Sequence, residues 1–223
     1  MINKLIISAF ISSTIIGCSP SPAQNGNAVY IFNSELNTDN INKKITLEKK
    51  RTAIEFESGF IANDCMEYLS EIKNTELKGT SFNLAIQNEY ISCEALDLIK
   101  NKVPSTNKNP LSYGSDIASG LDLSSFPSSL NRRSRENNKT LSDFGSQDLT
   151  INSFSAIRET ADWTYAIEII ASTDLNDDKI NDLIIWVHDK AKQGSYNTYT
   201  TLVIPLHNNN QPLSATPYKE WNP

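Results

Sequence analysis

The chain has 223 residues, 39% of them hydrophobic and 21% charged, with a net charge of −6 at neutral pH. That length suffices to bury a real core, as one domain or two small ones. An acidic balance without a long Lys/Arg run argues against nucleic acid as a partner, and the one basic cluster, Arg132-Arg133-Ser134-Arg135, reads as a solvated loop.

Lys4 is the only charge in the first 17 residues, and Leu5 to Ile16 form an apolar stretch with a few Ser and Thr. About a dozen residues fall short of the roughly 20 needed to span a bilayer, so residues 1–17 read as a signal peptide. The segment Ile15-Ile16-Gly17-Cys18 closes that stretch and resembles the lipobox of bacterial lipoproteins. The resemblance implies cleavage before Cys18, acylation of its thiol with diacylglycerol, and attachment to a membrane through lipid. Ser19 stands where lipoproteins held in the inner membrane often carry Asp. The implied address is therefore the cell envelope, at the outer membrane facing the periplasm.

Residues 18–27 are rich in Ser, Pro, Gly and Asn and read as a flexible tether. Residues 28–100 read as a small helix–strand unit. Ala28 to Phe32 is its first strand, Asn33 to Lys50 a polar loop, and Arg51 to Glu57 a second strand. Ile61, Cys65, Met66, Leu69 and Ile72 recur at helical spacing and predict a helix over Phe60 to Lys73. Phe82, Leu84 and Ile86 alternate, predicting a strand over Ser81 to Gln87, and Cys93 to Lys100 reads as a short helix.

Cys65 and Cys93 remain once Cys18 is set aside. An exported compartment permits a bridge between them, closing a loop of about 29 residues; two buried free thiols are the alternative.

Residues 101–145 are rich in Asn, Ser, Pro and Gly. Leu121 to Leu130 is apolar enough to drape over the fold, and Arg132 to Lys139 is a candidate for disorder. Residues 146–223 read as strands. Trp163, Tyr165, Ile167, Ile169 and Ala171 mark one face of a long strand, and Leu183 to Val187 fits a strand buried on both faces. Asn197 to Leu206 supplies a third, stopped at Asn208-Asn209-Asn210, while Pro212 to Pro223 shows no regular pattern. The expected class is α+β: a disulfide-bearing helix–strand unit followed by an antiparallel β-meander.

Between the first two of those strands, Asp174, Asn176, Asp178 and Asp182 supply side-chain oxygens at positions one, three, five and nine, with the Ile180 carbonyl at seven. Alternate oxygens on a tight loop suit calcium, which takes six to eight hard ligands. The stretch resembles the Asp-rich calcium loop of FG-GAP/VCBS-type repeats, which implies a structural ion pinning the hairpin. Asp177 and Lys179 stand where that family has glycines. The alternative is a polar turn whose Asp and Asn side chains cap their own backbone.

His188 beside Asp189 could anchor a hydrolytic site, but no nucleophile elbow accompanies it, and the two histidines, His188 and His207, show no metal-ligand spacing. The expected function is therefore a non-enzymatic accessory or binding lipoprotein, its partners the membrane and an envelope protein. An envelope hydrolase around His188 is the alternative. A deep cleft bringing a Ser and an acid to His188 would favour the second; a flat surface with an exposed apolar patch would favour the first.

Overall fold

The computed structural model describes residues 28–105, 112–131, 139–207 and 212–223. Cys18 with the leader and tether, Arg132 to Asn138, and the Asn208–Asn210 turn lie outside them.

Strand β1 (Ala28–Ile31) leads into helices α1 (Ser34–Ile41) and α2 (Lys43–Glu48). A loop was expected here. The Asn33 side chain accepts the Leu36 N–H and starts α1, because a helix leaves its first amides without partners. Each helix buries little (Leu36 fully, Leu47 partly), and Ile41 and Ile45 are 73% and 70% exposed. No amphipathic stripe was there to be read.

A two-stranded hairpin follows, β2 (Ile54–Glu55) with β3 (Ile61–Ala62), shorter than the strand expected over Arg51 to Glu57. Helix α3 (Cys65–Glu71) starts five residues later than the helical spacing predicts. Asp64 caps it by accepting the Glu67 N–H, and Glu67 reaches back to the Asn63 N–H. Its buried stripe is Cys65, Tyr68 and Ile72, whereas Met66 faces out.

The segment expected as a strand over Ser81 to Gln87 is helix α4 (Ser81–Ile86). Thr80 caps it through the Asn83 N–H, and Phe82, 57% exposed, points to solvent. The buried residue is Asn83. It accepts the Glu55 N–H and donates to the Glu55 and Lys78 carbonyls, completing backbone pairing that β2 lacks. Alternation in sequence was coincidental with a capped turn. Helix α5 (Ile91–Leu98) lies within two residues of its expected bounds, and β4 (Val103–Pro104) follows it.

Helix α6 (Gly114–Gly120) begins against the turn between β5 (Leu149–Asn152) and β6 (Ser155–Glu159). The Tyr113 and Gly114 amides donate to the Ser153 carbonyl, and a Cβ at Gly114 would sit 1.8 Å from the Asn152 carbonyl oxygen. Only glycine allows that approach. Leu121, Leu123, Phe126 and Leu130, expected to drape over the fold, are core residues.

Long antiparallel strands complete the sheet: β7 (Trp163–Thr173), β8 (Asp182–Ala191) and β9 (Asn197–Ile204). The tail expected to be irregular adds β10 (Thr216–Pro217) and a 3-10 turn, Tyr218–Glu220. Strand order is β10-β9-β8-β7-β1-β4, and β6, with β5 beyond it, pairs with the first half of β7. The class is α+β, with the bridge in the helical N-terminal part and an antiparallel sheet after it.

The sheet is covered on both faces. Tyr165, Ile167, Ile169, Leu183, Ile185, Val187, Leu202 and Ile204 pack on α6 and residues 121–130. Ile170, Ala171 and Ile184 pack on Leu36 of α1, Ala95 and Leu96 of α5, and Ile99 just after it. Simple alternation puts Ala171 with Ile169. A bulge at Ile170 shifts the register from Ile169↔Ile185 to Ala171↔Ile184 and turns Ala171 to the helical face. The bulged Ile170 carbonyl accepts both the Phe32 and Asn33 amides.

Candidate functional site

The Asp-rich loop joins β7 to β8. Asp174 is 2% exposed: its Oδ2 accepts the Lys179 N–H at 2.9 Å, and its Oδ1 is buried with no hydrogen-bond partner. Asn176 Oδ1 accepts the Asp178 N–H at 3.0 Å, and Asp178 Oδ1 accepts the Ile180 N–H at 2.7 Å. Asp182 is fully buried. Its Oδ2 accepts the Leu175 N–H and its Oδ1 the Leu206 N–H, so one carboxylate ties the loop to the end of β9. Burial pushes the Asp182 carboxyl up to about 6, with Asp178 and Asp174 adding repulsion and its two amide donors pulling back. Asp177 and Lys179 have φ of +62° and +71°, left-handed conformations that cost non-glycine residues about 1–2 kcal/mol each.

The loop therefore gathers Asp174, Asn176, Asp178 and Asp182 with the Ile180 backbone between them. All three of these carboxylates accept a loop amide in the manner of capped turns. Among the described residues, no three His, Cys, Asp or Glu side chains form a ready metal cluster. Asp174 Oδ1 is the one buried side-chain oxygen of the loop left without a donor.

His188 and Asp189 occupy adjacent positions of β8 and so face opposite sides of the sheet. His188 Nε2 lies 2.8 Å from Asn197 Oδ1, and the ring stacks on Tyr199 with centroids 4.3 Å apart. The Asp189 carboxylate accepts from Ser129 Oγ, the Ser129 amide, Trp163 Nε1 and Tyr196 Oη. Sequence proximity had joined His188 and Asp189 as catalytic candidates. The sheet separates them and gives Asp189 the work of holding residues 128–130 on β8.

Cys65 and Cys93 form a disulfide with Cα atoms 5.3 Å apart, clamping α3 to α5 inside the N-terminal core. One turn after Cys65, Tyr68 donates its hydroxyl to the carboxylate of Glu94, the residue after Cys93, at 2.7 Å. Nothing in the sequence around Glu94 marked it, because its other partner, Thr201, lies on β9 more than a hundred residues away. Burial pushes Glu94 up to about 7, with the Thr201 and Tyr68 hydrogen bonds pulling back.

No family model, curated protein or solved structure matches this chain. Among the described residues, no helix is long and apolar enough to cross a membrane.

Proposed function

We propose that this chain is a lipid-anchored cell-envelope protein with a non-enzymatic accessory or binding role, its C-terminal hairpin pinned by structural calcium. The observation that carries the envelope assignment is the buried Cys65–Cys93 bridge. Structural disulfides persist in oxidising compartments and are rare in the cytosol. A lipobox ending at Cys18 would deliver the chain to such a compartment, and two or more acyl chains make a durable anchor. The engagement of His188 with Asn197, and of Asp189 with Ser129, favours binding over hydrolysis centred on His188.

Metabolic labelling with an alkynyl palmitate tests the anchor. The full-length protein should take the label and the Cys18→Ala variant should not; label retained by the variant would remove the anchor from the proposal.

The loop fits a calcium ion through the orphaned Asp174 Oδ1, an acceptor sealed from water that a hard cation would satisfy. Asp174, Asn176, Asp178 and Asp182 would hold it with the Ile180 carbonyl, and the ion would offset repulsion among three carboxylates. Calcium at a hundredfold excess over its Kd is expected to raise the melting temperature by roughly 5–10 °C against chelator. The Asp174→Asn variant should lose most of that shift. Superimposable melting curves for the natural chain with calcium and with chelator would rule the ion out.

A further inference from the structure

A cavity of about 230 Å³ opens between α3, α5, β9 and the C-terminal 3-10 turn. Glu94, 8% exposed, is the buried carboxylate on its wall; Tyr68, Tyr199 and Tyr218 line it together with Ile72 and Pro217. We propose that this cavity binds a small organic ammonium ion, with the charged head on the Glu94 carboxylate and the carbon skeleton against the tyrosine rings. The proposal requires neither the lipid anchor nor calcium.

A carboxylate taken out of water costs several kcal/mol unless another charge or a proton compensates it. The hydrogen bonds to Glu94 come from neutral groups, the Tyr68 hydroxyl and Thr201. The charged groups around it are already engaged. On α5, Asp97 accepts the Tyr218 hydroxyl at 2.7 Å. Beyond α3, Lys73 lies over the Tyr218 ring, 4.7 Å from its centroid, and Glu76 pairs with Lys219 of the 3-10 turn. The strand β9 contributes the hydroxyl side chains of Tyr199, Thr200 and Thr201.

An anion would meet the Glu94 carboxylate with like charge, and a neutral guest would leave that carboxylate a proton as its only neutraliser. A cation neutralises it, and aromatic rings attract ammonium groups through their faces. The Lys73–Tyr218 contact shows one of these rings already holding a protein ammonium. Burial raises Glu94 to about 7, which favours its protonated form. A bound ammonium favours the carboxylate, so affinity falls as the pH drops below that point.

The probe is benzylamine, compared with its neutral isostere benzyl alcohol, titrated into the full-length protein by calorimetry. At about pH 8 the amine should bind at least about tenfold more tightly than the alcohol, and at about pH 5.5 that preference should shrink about tenfold. Glu94→Gln keeps the shape and an acceptor for Tyr68, and should abolish the preference. Circular dichroism establishes whether that variant is folded; if it is not, amine-dependent shifts of the Tyr68 and Tyr218 ring resonances in the natural chain read the same contact. Absence of benzylamine binding, equal binding of amine and alcohol, or a preference that survives in folded Glu94→Gln would each overturn the proposal.

Discussion

Replacing Cys93 with serine is expected to destabilise the protein by about 3–4 kcal/mol. The bridge joins residues 28 apart in sequence, so its loss returns to the unfolded chain the freedom of a loop of that size. The folded state loses as well, because Cys65 and Cys93 are fully buried and the new hydroxyl sits among Phe56, Tyr68 and Tyr90. Urea unfolding of the oxidised natural chain and the variant measures the difference in midpoint. The same shift should appear when the natural chain is reduced, and a midpoint that stays put in both would show that the clamp contributes nothing. The expected loss is a large fraction of the 5–15 kcal/mol typical of a domain.

Stability should also fall as the pH rises from about 4.5 to about 7, and Glu94→Gln should remove the Glu94 share of that slope. The folded-state value of Glu94 is about 7 against an ordinary 4.5. A raised carboxyl binds its proton more tightly in the fold than in the unfolded chain. Its contribution is therefore fully present below the ordinary value and lost as pH passes through the folded one. Over that window the loss amounts to roughly 3 kcal/mol. Asp182, raised from 3.8 to about 6, adds a slope of the same sign between those values. Asp64 is held low by the Glu67 amide and Lys50 against the opposing effect of burial, and works in the opposite direction. The difference between natural and Glu94→Gln stabilities across pH isolates the Glu94 contribution. A difference that is flat or rises with pH would show that Glu94 is not held protonated by burial.

The parts legible from sequence are those where one pattern dominates. Strands β7 and β8 announce themselves by alternation and by the continuous run Leu183 to Val187, which the sheet buries on both sides as that run requires. Helix α5 and the Cys65–Cys93 pair were equally visible. What failed depended on single polar side chains acting at short range. Asn33 and Thr80 start helices through caps, where composition suggested a loop and alternation a strand. The bulge at Ile170 has no sequence mark, yet it decides which face Ala171 takes. The two halves of the Glu94 cavity lie at opposite ends of the chain, and local periodicity carries no information about such meetings. The Asp-rich loop was legible as a constellation, but the buried Asp174 Oδ1 emerged only with the structure.

The position of β1 has a mechanical consequence. It lies inside the sheet, paired with β7 through Tyr30↔Ser172 and Ile31↔Ala171 and with β4 through Ala28↔Val103 and Val29↔Pro104. Beyond it, the Ile170 carbonyl grips the Phe32 and Asn33 amides, and the Asn33 side chain binds Glu168 while capping α1. A pull on the chain ahead of Ala28 reaches this short ladder first. The long β7–β8–β9 ladders stay out of the load path until β1 gives way. Under tension from its N-terminal side, the molecule should shed β1 and then loosen the start of α1, while the hairpin that carries the Asp-rich loop keeps its shape.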